Sequence, residues 1–99
     1  MESILGTWKH VAPWDSDDWL SEYTIALVNG TLVVTGRDTN DGEAYVVSEV
    51  QWDGSMLSFR TLVPSTGREG LNEFRADGNG GLKSRFTFTV LDRLERAEI

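Results

Sequence analysis

Apolar and polar residues alternate along most of this 99-residue chain, and clusters of Gly, Asn and Asp interrupt the alternation at regular intervals. A period of two is typical of a half-buried β-strand, because successive side chains point to opposite faces. Asn29-Gly30 and Asp53-Gly54 are residue pairs that tight hairpin turns favour, since both positions take a positive φ. The pattern therefore predicts an all-β protein of antiparallel hairpins. The predicted strands are 4–11, 21–28, 31–37, 43–52, 55–63, 69–76, 82–91 and 94–99.

Each hairpin turn also predicts which residues of its two strands lie opposite each other and share a face. The first of the two turns pairs Ile25 with Val34, and the second pairs Val46 with Thr61. Extended to the other strands, this parity predicts the interior. The predicted inward residues are Trp8, His10, Tyr23, Ile25, Leu27, Leu32, Val34, Val46, Ser48, Val50, Trp52, Leu57, Phe59, Thr61, Val63, Asn72, Phe74, Ala76, Leu82, Ser84, Phe86, Phe88, Val90 and Ala97.

The length of the chain predicts a single domain over residues 1–99. Every connection between predicted strands is short except residues 12–20, where we expect a short helical turn or a long loop. In a meander of eight strands the first and last run antiparallel, and pairing them removes both sheet edges. The predicted architecture is therefore an eight-stranded antiparallel up-and-down barrel. An open meander of two sheets is the alternative.

The opening Gly6-x-Trp8, placed early in the first strand of such a meander, resembles the calycin superfamily of lipocalins, fatty-acid-binding proteins and avidin-like barrels. The resemblance implies a lipocalin-like barrel with one closed end, where Trp8 seals the interior and Arg96 packs across it. Strand parity places Trp52 at the same end. The chain lacks the Arg-x-Tyr carboxylate clamp of fatty-acid-binding proteins, so fatty-acid binding is not carried over.

The opposite, loop-rimmed end of the predicted barrel is where small barrels hold ligands. Its inward residues are largely apolar with a few hydrogen-bonding groups, which predicts a small apolar or amphipathic ligand. A barrel of this size is only just wide enough for one small ligand, so an interior filled by its own side chains is the alternative. The predicted ligand-binding residues are His10, Trp19, Tyr23, Phe59, Thr61 and Phe88.

One outward face of the predicted barrel is unusually apolar. The turn registers place Ala26, Val33 and Val47 side by side, with Tyr45 and Leu62 adjoining them. A contiguous exposed apolar patch indicates an interface. The second functional hypothesis is therefore a filled barrel that acts as a protein–protein interaction module, most simply as a homodimer.

The charge and composition of the chain exclude several partners. Nine Lys and Arg residues against sixteen Asp and Glu residues give a net charge of −7, which disfavours nucleic acid and anionic membrane surfaces. The chain contains no cysteine, which excludes disulfides and fits a reducing compartment. It has neither a leader-like N-terminus nor an apolar run of membrane-spanning length, so we expect a cytoplasmic protein.

Signals for metal binding and catalysis are weak. The Asp-rich stretches at 15–18 and 38–43 have no calcium-loop spacing, and both indicate solvated turns. His10 is the only histidine, and a third hypothesis gives it an acid–base role in an enzyme. No nucleophile motif or second catalytic residue accompanies it. No catalytic residue, metal or cofactor is therefore predicted.

Overall fold

The computed structural model describes residues 4–10, 21–89 and 93–97, and within them the chain is all β. A three-stranded antiparallel sheet has the order β1-β2-β3, and a four-stranded antiparallel sheet has the order β4-β5-β6-β7. Strands adjacent in sequence are therefore adjacent in each sheet, as in a meander. The strands are β1 (Gly6–Lys9), β2 (Ser21–Val28), β3 (Thr31–Asp38), β4 (Val46–Trp52), β5 (Met56–Val63), β6 (Arg68–Ala76) and β7 (Leu82–Thr89).

The hairpin between β2 and β3 confirms its predicted turn and register. Ile25 lies opposite Val34, and Leu27 lies opposite Leu32. The turn residue Asn29 has a φ of 51°. Because Asn tolerates this left-handed backbone better than most residues, the sequence signal was sufficient to place every pair of the hairpin.

The register of the hairpin between β4 and β5 differs from the prediction, and the predicted pair Val46–Thr61 is wrong. Thr61 lies opposite Val47 instead, for two reasons. The turn pairs Trp52 with Leu57, whereas a loop at Asp53-Gly54 would pair it with Ser55, and the strand is then bulged between Ser48 and Gln51. Within the bulge Glu49 has a φ of 53°. Counted from the turn, one extra residue in a strand moves every side chain beyond it to the opposite face. Val46 is therefore 52% exposed, although the sequence predicted it inside.

A single β-bridge lies where the chain passes from the first sheet to the second. Arg37 at the end of β3 pairs with Ala44, and the backbone N–H of Tyr45 donates to the carbonyl of Gly36 at 2.9 Å. The Asp-rich connection between them is held by its own side chains. The backbone N–H of Asn40, for example, donates to an Asp38 carboxylate oxygen at 2.7 Å. This stretch is a turn, as the sequence indicated.

The core between the sheets centres on three aromatic rings. Tyr23 of β2 packs edge-on against Phe59 and Phe74, with ring centroids 5.5 Å and 5.3 Å away, and those two rings lie 5.1 Å from each other. Such edge-to-face pairs add about 0.5–1.5 kcal/mol each beyond the burial of their area. The buried apolar residues of the described part are Ile4, Tyr23, Ile25, Val34, Tyr45, Leu57, Phe59, Val63 and Phe74.

The described residues form an open meander of two sheets. β1 pairs with β2 and β7 pairs with β6, and neither has a second partner strand in this part of the chain. Residues 93–97, which the sequence placed mainly in an eighth strand, have no regular secondary structure there. The predicted inward residues Leu27, Phe86 and Phe88 are each close to half exposed. The predicted loop or helical turn at 12–20 lies outside the described residues.

The Gly6-x-Trp8 motif folds back on the start of the chain. The indole N–H of Trp8 donates to the carbonyl of Ile4 at 2.8 Å, and Ile4 is fully buried in the core. Gly6 has a φ of 128°, a conformation that residues with a Cβ rarely adopt. Trp8 and Trp52 both pack against the core from partly exposed positions, whereas Arg96 is exposed.

Replacing Gly6 by Ala should destabilise the protein by about 1–3 kcal/mol because of backbone strain alone. No heavy atom lies within 4 Å of a Cβ built at this position, so steric overlap makes no contribution. Urea unfolding measures the change. Thr7→Ala is the control, because it alters an exposed neighbour and removes only one exposed side-chain hydrogen bond, with Thr24. Equal midpoints for Gly6→Ala and the wild type would contradict the strain argument.

Candidate functional site

A cavity of about 220 Å³ lies between the two sheets, beside the aromatic core. Val63, Phe74 and Phe86 form much of its apolar wall. Its size suits a small molecule of one or two rings, and a mixed wall of apolar and hydrogen-bonding groups is characteristic of ligand pockets. The neutral hydrogen-bonding residues of the wall are His10, Ser21, Tyr23, Tyr45, Thr61, Asn72 and Ser84, and Arg68 and Arg85 add two cations to the lining.

Two buried hydrogen bonds organise the polar wall. The hydroxyls of Ser21 and Tyr45 share a hydrogen bond of 2.7 Å, and the Asn72 side-chain amide donates to the Thr61 hydroxyl at 2.9 Å. Ser21 also hydrogen-bonds to the Tyr23 hydroxyl, so these three hydroxyls use two of their three hydrogens. The third of these hydrogens and the hydrogen of Thr61 remain donors. The wall therefore carries pre-positioned hydrogen-bond donors.

Both tyrosines stay protonated at neutral pH. Burial raises the pKa of Tyr23 to about 12, against a smaller opposing effect of its hydrogen bond with Ser21. Burial also raises the pKa of Tyr45, and the nearby carboxylates of the 38–43 turn act in the same direction. A neutral phenol is a hydrogen-bond donor as well as an acceptor.

Tyr45 reaches the cavity because the strand beside it carries a glycine. A Cβ on Gly36 would lie 2.7 Å from the Tyr23 ring and 3.0 Å from the Tyr45 ring, so only glycine lets both rings close over β3. Tyr45 is 9% exposed, whereas the sequence predicted it on the outer surface. A glycine inside a predicted strand marks close approach by a neighbour. Gly36, opposite Tyr23, was the available signal.

His10 is held in one tautomer by the backbone. Its Nδ1 accepts the backbone N–H of Ser21 at 3.1 Å, and its ring packs edge-on against Tyr23 at 6.2 Å between centroids. An accepting Nδ1 carries no proton, so the neutral ring has its hydrogen on Nε2. Packing of one side of this partly exposed ring lowers the pKa of His10.

The structure brings together three of the predicted ligand-binding residues. His10, Tyr23 and Thr61 line the cavity. Phe59 is fully buried in the core behind the wall, and Phe88 is 48% exposed, with the Arg68 guanidinium 4.2 Å from its ring centroid. Trp19 lies outside the described residues. Sequence reasoning missed Ser21 and Tyr45, which form the shortest polar contact of the wall.

The predicted interface residues are divided between the two faces of the sheets. Ala26 lies opposite Val33 on the outer face, where Val33 is 40% exposed. Tyr45 and Val47 pack instead on the inner side, because the β4 bulge reverses their direction. The exposed Val46, directly opposite Leu62, takes their place on the outer surface.

No family model, curated protein or solved structure matches the chain. In residues 4–10, 21–89 and 93–97 no three His, Asp or Glu side chains converge as a metal site. The same residues contain no helix that is long and apolar enough to span a membrane.

Acidification should weaken the fold through His10. The pKa of His10 is lower in the folded chain than its ordinary value of 6.5, so its contribution to stability is fully present above pH 6.5. As the pH falls below 6.5, the unfolded chain takes up the proton first and stability decreases. Urea unfolding at several pH values measures this loss.

His10→Asn is the matched variant, because an amide oxygen replaces Nδ1 as acceptor without titrating. We expect it to lose less stability than the wild type as the pH falls from above 6.5 to below it. Parallel pH profiles for the two proteins would show that His10 carries no such linkage.

Proposed function

We propose that this protein binds a small amphipathic molecule in the cavity between its sheets and performs no chemistry on it. The buried Ser21–Tyr45 and Asn72–Thr61 hydrogen bonds on the wall carry the proposal. They hold polar groups beside apolar rings, which is the arrangement that fixes the orientation of a ligand. The fitting ligand has an apolar ring system and an oxygen that exchanges hydrogen bonds with the wall.

His10 has a binding role in this proposal. Its Nδ1 is occupied by the backbone N–H of Ser21, so the hydrogen on Nε2 is the part of the ring left to meet a ligand. Together with the tyrosine hydroxyls, this gives the wall neutral donors at neutral pH, and Arg68 and Arg85 add positive charge to the lining. The neutral donors suit uncharged oxygens such as carbonyls, phenols and ethers, and the two guanidinium groups also suit a carboxylate.

We also propose the calycin resemblance, the closed barrel and the cytoplasmic location. The order of the strands and the packing of Trp8 on the core support the resemblance to the calycin superfamily. A closed eight-stranded lipocalin-like barrel would need residues 94–99 to pair with β7. The absence of cysteine supports the cytoplasm as the proposed location.

The cavity proposal is tested with 2-naphthol and naphthalene, which differ only in one hydroxyl. Calorimetry should show saturable binding of one 2-naphthol per chain. We expect about fivefold tighter binding than for naphthalene, because one hydrogen bond contributes about 1 kcal/mol. Tyr45→Phe should remove most of that preference and keep naphthalene binding.

Filling the cavity provides the control. Val63→Phe places a ring in the wall and should abolish binding of both compounds, whereas Val28→Phe, on the exposed end of β2, should leave binding unchanged. Circular dichroism verifies that both variants fold. Failure of the wild type to bind either compound at saturating concentrations would refute the proposal.

A second candidate function is self-association through the outer face. The exposed Val33 and Val46, with Ala26 and Leu62 beside them in register, form an apolar patch that supports this candidate. Patches of this kind indicate interfaces. A two-fold homodimer that packs these sheet faces together is the simplest form.

Light scattering tests the second candidate. At high concentration the wild type should have the mass of a dimer, and Val33→Glu should restore the monomer because a buried charge in the patch is costly. Asn79→Glu adds the same charge at an exposed hairpin tip and should leave the dimer intact. A monomeric wild type would eliminate this candidate.

A further inference from the structure

β7 is an edge strand in the described part of the chain. It forms hydrogen-bonded pairs with β6 on one side, and no described strand lies on its other side. An edge presents unpaired backbone N–H and C=O groups, which another extended segment can extend as a further strand. β7 is eight residues long, which is enough for a stable backbone pairing.

The outer face of β7 is basic in a chain whose net charge is −7. Lys83 and Arg85 point to this face, and Arg75 of β6 lies directly opposite Lys83. Two like charges opposite each other destabilise a sheet, so this arrangement opposes folding unless an anion lies between them. A depression of about 360 Å³, lined mainly by these cations and Glu73, opens there.

The cations on this face are poorly compensated within the described residues. Arg85 is exposed and forms no ion pair there, although Glu73 lies opposite it in register. The charge of Lys83 helps to lower the pKa of the Asp77 carboxyl, although backbone hydrogen bonds lower that pKa more. The charge of Arg75 makes a small contribution to lowering the pKa of Asp53. Positive potential therefore remains along β7.

The inner face of β7 carries two half-exposed aromatic rings, with the Arg68 guanidinium beside one of them. Phe86 and Phe88 are 46% and 48% exposed, and their rings pack edge-on at 5.6 Å between centroids. β7 thus alternates cations on one face with aromatic rings on the other. A strand that pairs with it would meet both patterns at once, since side chains opposite each other share a face.

We infer that the β7 edge binds an extended segment of a partner protein in which acidic residues alternate with apolar residues. The acidic side chains lie over Lys83, Arg85 and Arg75, and the apolar side chains cover Phe86 and Phe88. The charge pattern selects this occupant over a second copy of the chain. Two copies joined through β7 would bring both sets of Lys83 and Arg85 together, which like-charge repulsion opposes.

A synthetic peptide of about eight residues that alternates glutamate and valine, capped at both ends, is the test ligand. Titration of isotope-labelled protein, followed by NMR, should show saturable shifts of backbone amides concentrated in β7 and β6. A lysine–valine peptide tests the charge requirement. A glutamate–valine peptide with proline at alternate valines tests backbone pairing, because proline lacks the N–H. Neither control peptide should bind.

Charge variants of the protein test the named residues. Arg85→Gln should weaken the acidic peptide by about threefold, and the double variant Lys83→Gln/Arg85→Gln by about tenfold. Arg37→Gln is the matched control, because it makes the same charge change on β3, in the other sheet, and should leave affinity unchanged. All three alter exposed side chains. Because Arg85 also lines the cavity and Lys83 does not, binding of 2-naphthol by the single variant Lys83→Gln separates this inference from the cavity proposal.

Several results would overturn the inference. One is an absence of shifts at millimolar peptide, which would also follow if residues 94–99 occupy the edge. Others are equal binding of the lysine or proline peptide, or equal weakening by Arg37→Gln. A dimer that becomes tighter in the Lys83→Gln/Arg85→Gln variant, which lacks the like-charge repulsion, would place a second copy on the edge instead. Confined amide shifts with the expected charge dependence would support the inference.

Discussion

The edge-to-face contacts among Tyr23, Phe59 and Phe74 join the two sheets, and the rest of the structure depends on them. Tyr23 belongs to the three-stranded sheet, whereas the two phenylalanines belong to neighbouring strands of the four-stranded sheet. The backbones of the two sheets are linked, within the described residues, by a single β-bridge between Arg37 and Ala44. The rings therefore set the spacing between the sheets, and the cavity opens beside them because Tyr23 is also part of its wall.

The polar wall of the cavity is stable because its members satisfy one another. No buried side-chain nitrogen or oxygen in the described residues lacks a hydrogen-bond partner. An unpaired buried hydroxyl or amide costs about 1–3 kcal/mol, so the paired arrangement keeps this cost low while the cavity is formed. The same pairs hold the Tyr45 and Thr61 hydroxyls in fixed positions, which reduces the conformational entropy that the protein loses when a ligand binds.

Much of the fold could be predicted from sequence, because local chemistry determines it. Asn29 takes the positive φ that the first hairpin turn needs, and all its predicted pairs are present. The inward direction of Tyr45 could not be predicted, because the bulge that causes it has a glutamate at its left-handed position and no glycine to reveal it. The exposure of Phe86 was also missed, since parity predicts which face a side chain shares and says nothing about whether another strand covers that face.

The bulge at Glu49 also has a consequence for sequence change by insertion or deletion. Glu49 is not among the residues that line the cavity, and its carboxylate lies 3.6 Å from the guanidinium of Arg60 on the outer face. Deleting one of the two residues that lie opposite Phe59 would remove the bulge and leave Val47 opposite Thr61, so Tyr45 would keep its inward direction. A strand of the same length without the bulge would instead continue the register of Gln51 and Ser58 and place Val46 opposite the buried Val63. Val46 would then face the interior in place of Tyr45. A residue outside the cavity therefore determines whether a phenol or an alkyl group is presented to it.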